Sequence, residues 1–147
     1  GTEFGKDYLI NLYTPNGSLK IDGVMNKGPI DYYNEMPYVF NNSRINLNIT
    51  LRSIKSGIPL RAMDICGAGG FLLSNYQADF YDFFTPGEDI VLYESIDDML
   101  SKCKYYLTHD SERERIAKNG RARIEEAHTY DIRFEEIFNM VFNTHRK

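Results

Sequence analysis

Read for alternation of apolar and polar positions, the chain switches period several times. Asp7 to Thr14 (DYLINLYT) reads as a strand and is closed by Pro15-Asn16-Gly17, a turn signal. A polar, glycine-bearing stretch leads to Gly28-Pro29. From Ile30 to Asn42, Tyr32, Tyr33, Met36, Val39 and Phe40 fall at helical spacing, with Pro37 set to kink or split the helix. Ile45 to Leu51 (INLNITL) alternates with period two and predicts a strand. Leu60 to Gly67 predicts a short helix, Phe71 to Ser74 a buried strand, Tyr76 to Phe84 another short helix, and Asp89 to Tyr93 the last strand.

Beyond Tyr93 the pattern is wholly helical. Ser95 with Asp98 is a capping-box signature opening a helix to about Leu107, and Ser111 with Glu114 a second, opening one to about Ala127. Thr129 to Asn143 is a third helix, striped by Ile132, Ile137, Met140 and Val141. About four strands alternating with helices predict an α/β fold, a Rossmann-like parallel sheet flanked by helices. Residues 95–147 form its helical C-terminal part. The sheet is small for a doubly wound domain, which suggests a fragment or a half. Gly1 to Phe4, with no initiator Met, read as a cloning remnant, leaving residues 5–147 as a single, truncated domain of a longer protein.

The densest chemistry lies in Ser56 to Leu73 (SGIPLRAMDICGAGGFLL). Its loop follows the carboxyl end of a predicted strand, where α/β sheets bind ligands. Gly57 lets a ligand approach the backbone, and Pro59 suits the first turn of a helix whose free N–H groups can hold a phosphate. Arg52, Lys55 and Arg61 add charge suited to a diphosphate, although the same residues would make a plain solvated basic loop. Asp64, read as lying in the first turn of that helix, either offsets the helix dipole or accepts two ribose hydroxyls. Gly67 to Gly70 do not form a dinucleotide fingerprint, because the order here is helix, glycines, strand. They fit instead the closing of a helix against the sheet.

Composition narrows the function classes. The 147 residues are 42% hydrophobic, with eleven Tyr, nine Phe and no Trp, enough for one ordinary core. A net charge of −4 gives no footprint for nucleic acid or an anionic membrane. No apolar run approaches the ~20 residues of a membrane span, and no signal peptide is visible. Cys66 and Cys103 read as buried reduced thiols, and the N-x-S/T triplets at Asn16, Asn41 and Asn48 as chance, so the cytoplasm is the expected compartment. No nucleophile elbow, zinc-binding helix, phosphate-loop lysine or D-x-D is present, and no metal is expected. His109, His128 and His145 sit in the helical tail, as helix-end or surface residues.

Taken together, the segments DYYNEMPYVFNNSRINLNIT, SGIPLRAMDICGAGGFLLSNY, PGEDIVLYES and SERERIAKNGRARIEEAHTYDIR resemble the C-terminal, donor-binding half of GT-B glycosyltransferases, in the CgeB-like branch of the glycosyl transferases group 1 family. The resemblance covers Ile30 to Phe138. It implies a nucleoside diphosphate sugar as donor substrate, no cofactor, and an acceptor-binding N-terminal domain as the missing partner. In that family two glutamates, spaced as Ser56 and Asp64 are spaced here, flank the donor loop. Asp64 takes the place of the one that binds the ribose. Ser56 stands where the one facing the donor sugar is expected. Gly57, Ile58 and Pro59 match the backbone stretch that approaches the donor, and the Gly28-Pro29-Ile30 turn is expected against the nucleobase. Arg61 or Lys55 would stabilise the leaving diphosphate. The family's final helix crosses back to the N-terminal domain, so Thr129 to Asn143 is expected to lack its packing surface, and turnover is not expected from this piece alone. Two rival readings are a degenerate, non-catalytic scaffold of a spore coat or cell envelope, favoured by Ser56, and a receiver-like signalling domain, disfavoured because the first strand ends in Tyr13-Thr14 rather than in acids.

Overall fold

Phe71-Leu-Leu73 and Ile90-Val-Leu-Tyr93 are unbroken apolar runs, the mark of parallel strands covered on both faces. In the computed structural model, which describes residues 4–51, 53–54 and 56–143, they form the central strand and one edge strand of the larger of two parallel sheets. Its strands are β3 (Asn46–Asn48), β4 (Leu72–Asn75) and β5 (Val91–Tyr93), in that spatial order, with Asn46 opposite Leu72 and Leu73 opposite Val91. The smaller sheet pairs β1 (Asn11–Tyr13) with β2 (Met25–Gly28), also in parallel, with a register shift between Leu12 and Tyr13. The chain divides into two units, Gly1–Tyr38 and Val39–Lys147. The whole is an α/β fold of parallel sheets flanked by helices, as the alternation of strand and helix signals implies.

Five helices of α type accompany the strands among the described residues: α1 (Met36–Asn42), α2 (Leu60–Gly67), α3 (Ile96–Thr108), α4 (Asp110–Ala127) and α5 (Tyr130–Asn143). The first is shorter than its periodicity predicts. Asp31 Oδ1 accepts the N–H groups of Tyr33 (2.9 Å) and Asn34 (3.0 Å), tying residues 31–35 into a turn. Helix α1 then starts at Met36, so Pro37 neither kinks nor splits it but sits in its first turn, where its missing N–H costs nothing. β2 escaped the sequence reading because MNKG carries no strand-like alternation. The segment Tyr76 to Phe84 contains only a 3-10 helix, Ala78–Asp82.

β3 is also shorter than predicted, and its alternation faces the other way. Asn46 and Asn48 are buried, while Leu47, Ile49 and Leu51 are exposed. Hydrogen bonds decide this. Asn46 Nδ2 donates to Phe40 O (2.9 Å), and Asn48 Nδ2 donates to Ser74 Oγ (2.9 Å) inside the sheet. The core proper gathers Phe71, Leu73, Val91, Tyr93, Tyr106 and Ile116, with Ile45, Met99, Cys103 and Ala117 packed around it. Cys66 is buried, as expected, but Cys103 is only half-buried; both thiols are free.

Candidate functional site

Helix α2 is framed by opposite devices at its two ends. At its C-terminus the Gly70 N–H bonds to Ile65 O (2.8 Å) and the Gly69 N–H to Cys66 O (2.8 Å), a Schellman closure with Gly69 at φ +79°. A side chain at Gly70 would place its Cβ 2.6 Å from Phe40 O, so the turn packs backbone to backbone against the end of α1. Asn41 Nδ2 donates to Ala68 O at 2.9 Å and holds the same closure from α1. The glycines therefore end a helix and bring it against its neighbours, as their order relative to the strand implies.

At its N-terminus α2 begins after Pro59, which is extended (φ −64°, ψ 135°), and no side chain caps it among the described residues. Its first turn holds no acid, and Arg61 projects there, exposed. The first N–H groups of a helix carry its positive partial charge, so this end suits an anion. Asp64 is the fifth residue of α2 and lies in the second turn, not the first as the sequence suggested. The helix starts at Leu60, as its pattern predicts, and a turn of 3.6 residues from there ends before Asp64. From the second turn a carboxylate offsets the helix dipole weakly.

The loop leading to α2 leaves the carboxyl end of β3, beside the ends of β4 and β5. These ends are held together by hydrogen bonds from both side chains and backbone. The Thr50 N–H donates to Asn75 Oδ1 (2.7 Å), Tyr93 Oη donates to Asn48 O (3.5 Å), and the Tyr76 N–H donates to Tyr93 O (2.8 Å). Gln77 Nε2 donates to Ile54 O at 3.2 Å, and Asp79 Oδ2 accepts the Gly57 N–H. Gly57 has φ +89°, and an added Cβ would meet nothing within 4 Å, so the demand for glycine is conformational and the space beside it is open.

Of the residues singled out from sequence, Ser56, Gly57, Ile58, Pro59, Arg61 and Asp64 are strung along this loop and helix. Ser56, Gly57 and Arg61 are exposed; Ile58, Pro59 and Asp64 are half-buried. Lys55 and Arg52 lie outside the described residues, as does His145. Gly28, Pro29 and Ile30 belong to the other unit of the chain. There Gly28 closes β2, its N–H bonded to Asn26 Oδ1 (2.9 Å) and its carbonyl accepting from the Thr14 N–H (3.0 Å). Sequence reading missed Gln77, Asp79, Asn48 and Asn75. Nothing in their spacing marks them, because their partners lie more than twenty residues away in the chain.

A cavity of about 710 Å³ is walled by Tyr76, Tyr81, Glu94, Asp98 and Lys102. Among the described residues its one cation is engaged: Lys102 Nζ reaches both Leu92 O and Asp98 Oδ2 at 2.7 Å. Among the described residues no group of His, Cys, Asp and Glu could hold a metal ion, and no helix is long and apolar enough to cross a membrane.

Parallel strands with an anion-suited loop and helix start at their carboxyl ends form an α/β domain consistent with the GT-B type, the loop lying where such sheets bind ligands. The chain belongs to the family described as glycosyl transferase-like, whose model matches residues 5–139. Among solved structures, sucrose-phosphate synthase from Thermosynechococcus elongatus is similar in fold, with a TM-score of 0.68 at 15% identity over 84% of this chain. The match spans 31% of that enzyme's chain. No curated protein matches the sequence.

Proposed function

We propose that this chain is the nucleotide-sugar-binding domain of a bacterial glycosyltransferase of the CgeB-like branch. The observation that carries the reading is the uncapped, acid-free N-terminus of α2, fed by an open glycine loop at the carboxyl end of β3. In this reading the diphosphate lies at the first N–H groups of α2, with Arg61 and Lys55 stabilising the charge that develops on the leaving group. Asp64 accepts the ribose hydroxyls. The sugar passes to an acceptor held by another domain. The exposed apolar stripe of α5, with Phe134, Ile137, Phe138 and Val141 each more than half exposed, supports such a partner domain in the parent chain. The free thiols Cys66 and Cys103 support a reducing, cytoplasmic setting.

A scaffold without catalysis is the second reading, and Ser56 favours it, since no acid stands at that place in the loop. Calorimetric titration with UDP, GDP and ADP separates the two. The expected result is saturable binding of one nucleotide, weakened at least about tenfold by Asp64→Ala through loss of a charge-assisted hydrogen bond. Failure of all three to bind at millimolar concentration rejects the donor-site reading and leaves the scaffold.

A further inference from the structure

The turn after β4 meets the glycine loop with two acceptor-bearing side chains. Gln77 is only 7% exposed, and while its Nε2 is bonded to Ile54 O, its Oε1 is buried without a donor among the described residues. A buried carbonyl oxygen left unpaired is unfavourable unless a ligand or water completes it. Two residues on, Asp79 is half-buried and its Oδ2 is seated on the Gly57 N–H.

This arrangement gives the loop a polarity. At Gly57 the backbone donor is already taken by a carboxylate, whose charge opposes a diphosphate there. At Leu60 and Arg61 the helix start bears no acid and carries a guanidinium, so the anion belongs at that end. What suits the Gly57 end is a neutral group rich in hydroxyl donors, because charge-assisted O–H bonds to a carboxylate are strong. We propose that Asp79 and Gln77 bind the sugar of the nucleotide sugar, their oxygens accepting its hydroxyls, while the diphosphate lies at the start of α2. This rests on the donor-site reading above and adds which end of the loop faces which part of the donor.

The test uses the whole chain and compares each sugar nucleotide with its own free diphosphate: UDP-glucose and UDP-N-acetylglucosamine with UDP, GDP-mannose with GDP, ADP-glucose with ADP. The wild type is expected to favour one sugar nucleotide over its diphosphate. Asp79→Asn keeps a carbonyl oxygen for the Gly57 N–H but removes the charge. It is expected to cut that preference about tenfold, the scale of one charge-assisted hydrogen bond. A merely structural latch would lower both affinities together and leave the ratio unchanged, and an unchanged ratio overturns the proposal. So does a wild type that binds a diphosphate and its sugar conjugates equally. A wild type that binds none of the seven compounds rejects the donor-site reading itself, and this assignment with it.

Discussion

His128 stands between a carbonyl and a cation. Its Nε2 faces Phe83 O at 3.2 Å, and Arg133 Nη2 lies 2.7 Å from its Nδ1. A guanidinium only donates, so Nδ1 accepts and the proton sits on Nε2, bonded to the carbonyl. Burial, with the charges of Arg133 and Arg123, pushes the imidazole below its ordinary pKa of 6.5, against the raising effect of the Phe83 hydrogen bond. Because the folded pKa is depressed, the unfolded chain binds more protons below about pH 6.5. The stability contributed by neutral His128 is therefore complete above that pH and lost as pH falls from there through the lower pKa of the folded state. Melting temperature followed against pH should fall below about pH 6.5 in the wild type and do so less in His128→Gln.

Helix ends and helix contacts show where local signals suffice at the scale of an element. Ser95 Oγ accepts the Asp98 N–H at 3.1 Å, as its capping signature predicts, and Asp98 Oδ2 reaches back to the Glu94 N–H (3.0 Å). The matching signature at Ser111 and Glu114 is not used, because α4 starts at Asp110 and Ser111 lies inside its first turn. Arg113 decides that junction: it is buried, bonds to Tyr106 O at 2.7 Å, and pairs with Asp110, stapling the end of α3 to the start of α4. The contact of α4 with the approach to β5 depends on Gly120. A Cβ there would lie 2.5 Å from Asp89 O. Alanine ordinarily stabilises a helix interior by ~1 kcal/mol over glycine. Here Gly120→Ala is expected to destabilise by about 1–3 kcal/mol through overpacking, measurable as a lower denaturation midpoint.

Seen over the whole molecule, apolar surface is unevenly spent. Phe80 is fully buried, with Phe84 beside it at a ring separation of 6.3 Å, whereas Phe138 is 57% exposed on α5. Both read alike in sequence as aromatic residues in helical stretches. Phe80→Ala should cost about 3–5 kcal/mol. Phe138→Ala should change stability by no more than about 0.5 kcal/mol, as expected of a surface position, and chemical denaturation of the two variants measures the contrast. The stripe of α5 is thus an amphipathic face whose apolar side contributes little to holding this chain together.

Local chemistry alone determined much of this protein: the parallel α/β plan, the short helix from Leu60 to Gly67, its closure by glycines, the cap at Ser95 and the uninterrupted helical tail. The plan follows from the alternation of strand and helix signals, and the other features rest on interactions within a few residues, which spacing encodes directly. The loop from Ser56 to Pro59 was legible as a candidate site for the same reason, since a strand end, a glycine and a helix start are adjacent in the chain. Tertiary structure decided the rest. Asn46 and Asn48 rather than Leu47 face inward because their amide partners come from α1 and β4. Asp79, and not a residue of the loop itself, places a carboxylate at Gly57 because the turn after β4 folds beside it, 22 residues along the chain. Hydrogen bonds between distant segments leave no periodic trace in a sequence, and only the fold brings their donors and acceptors together.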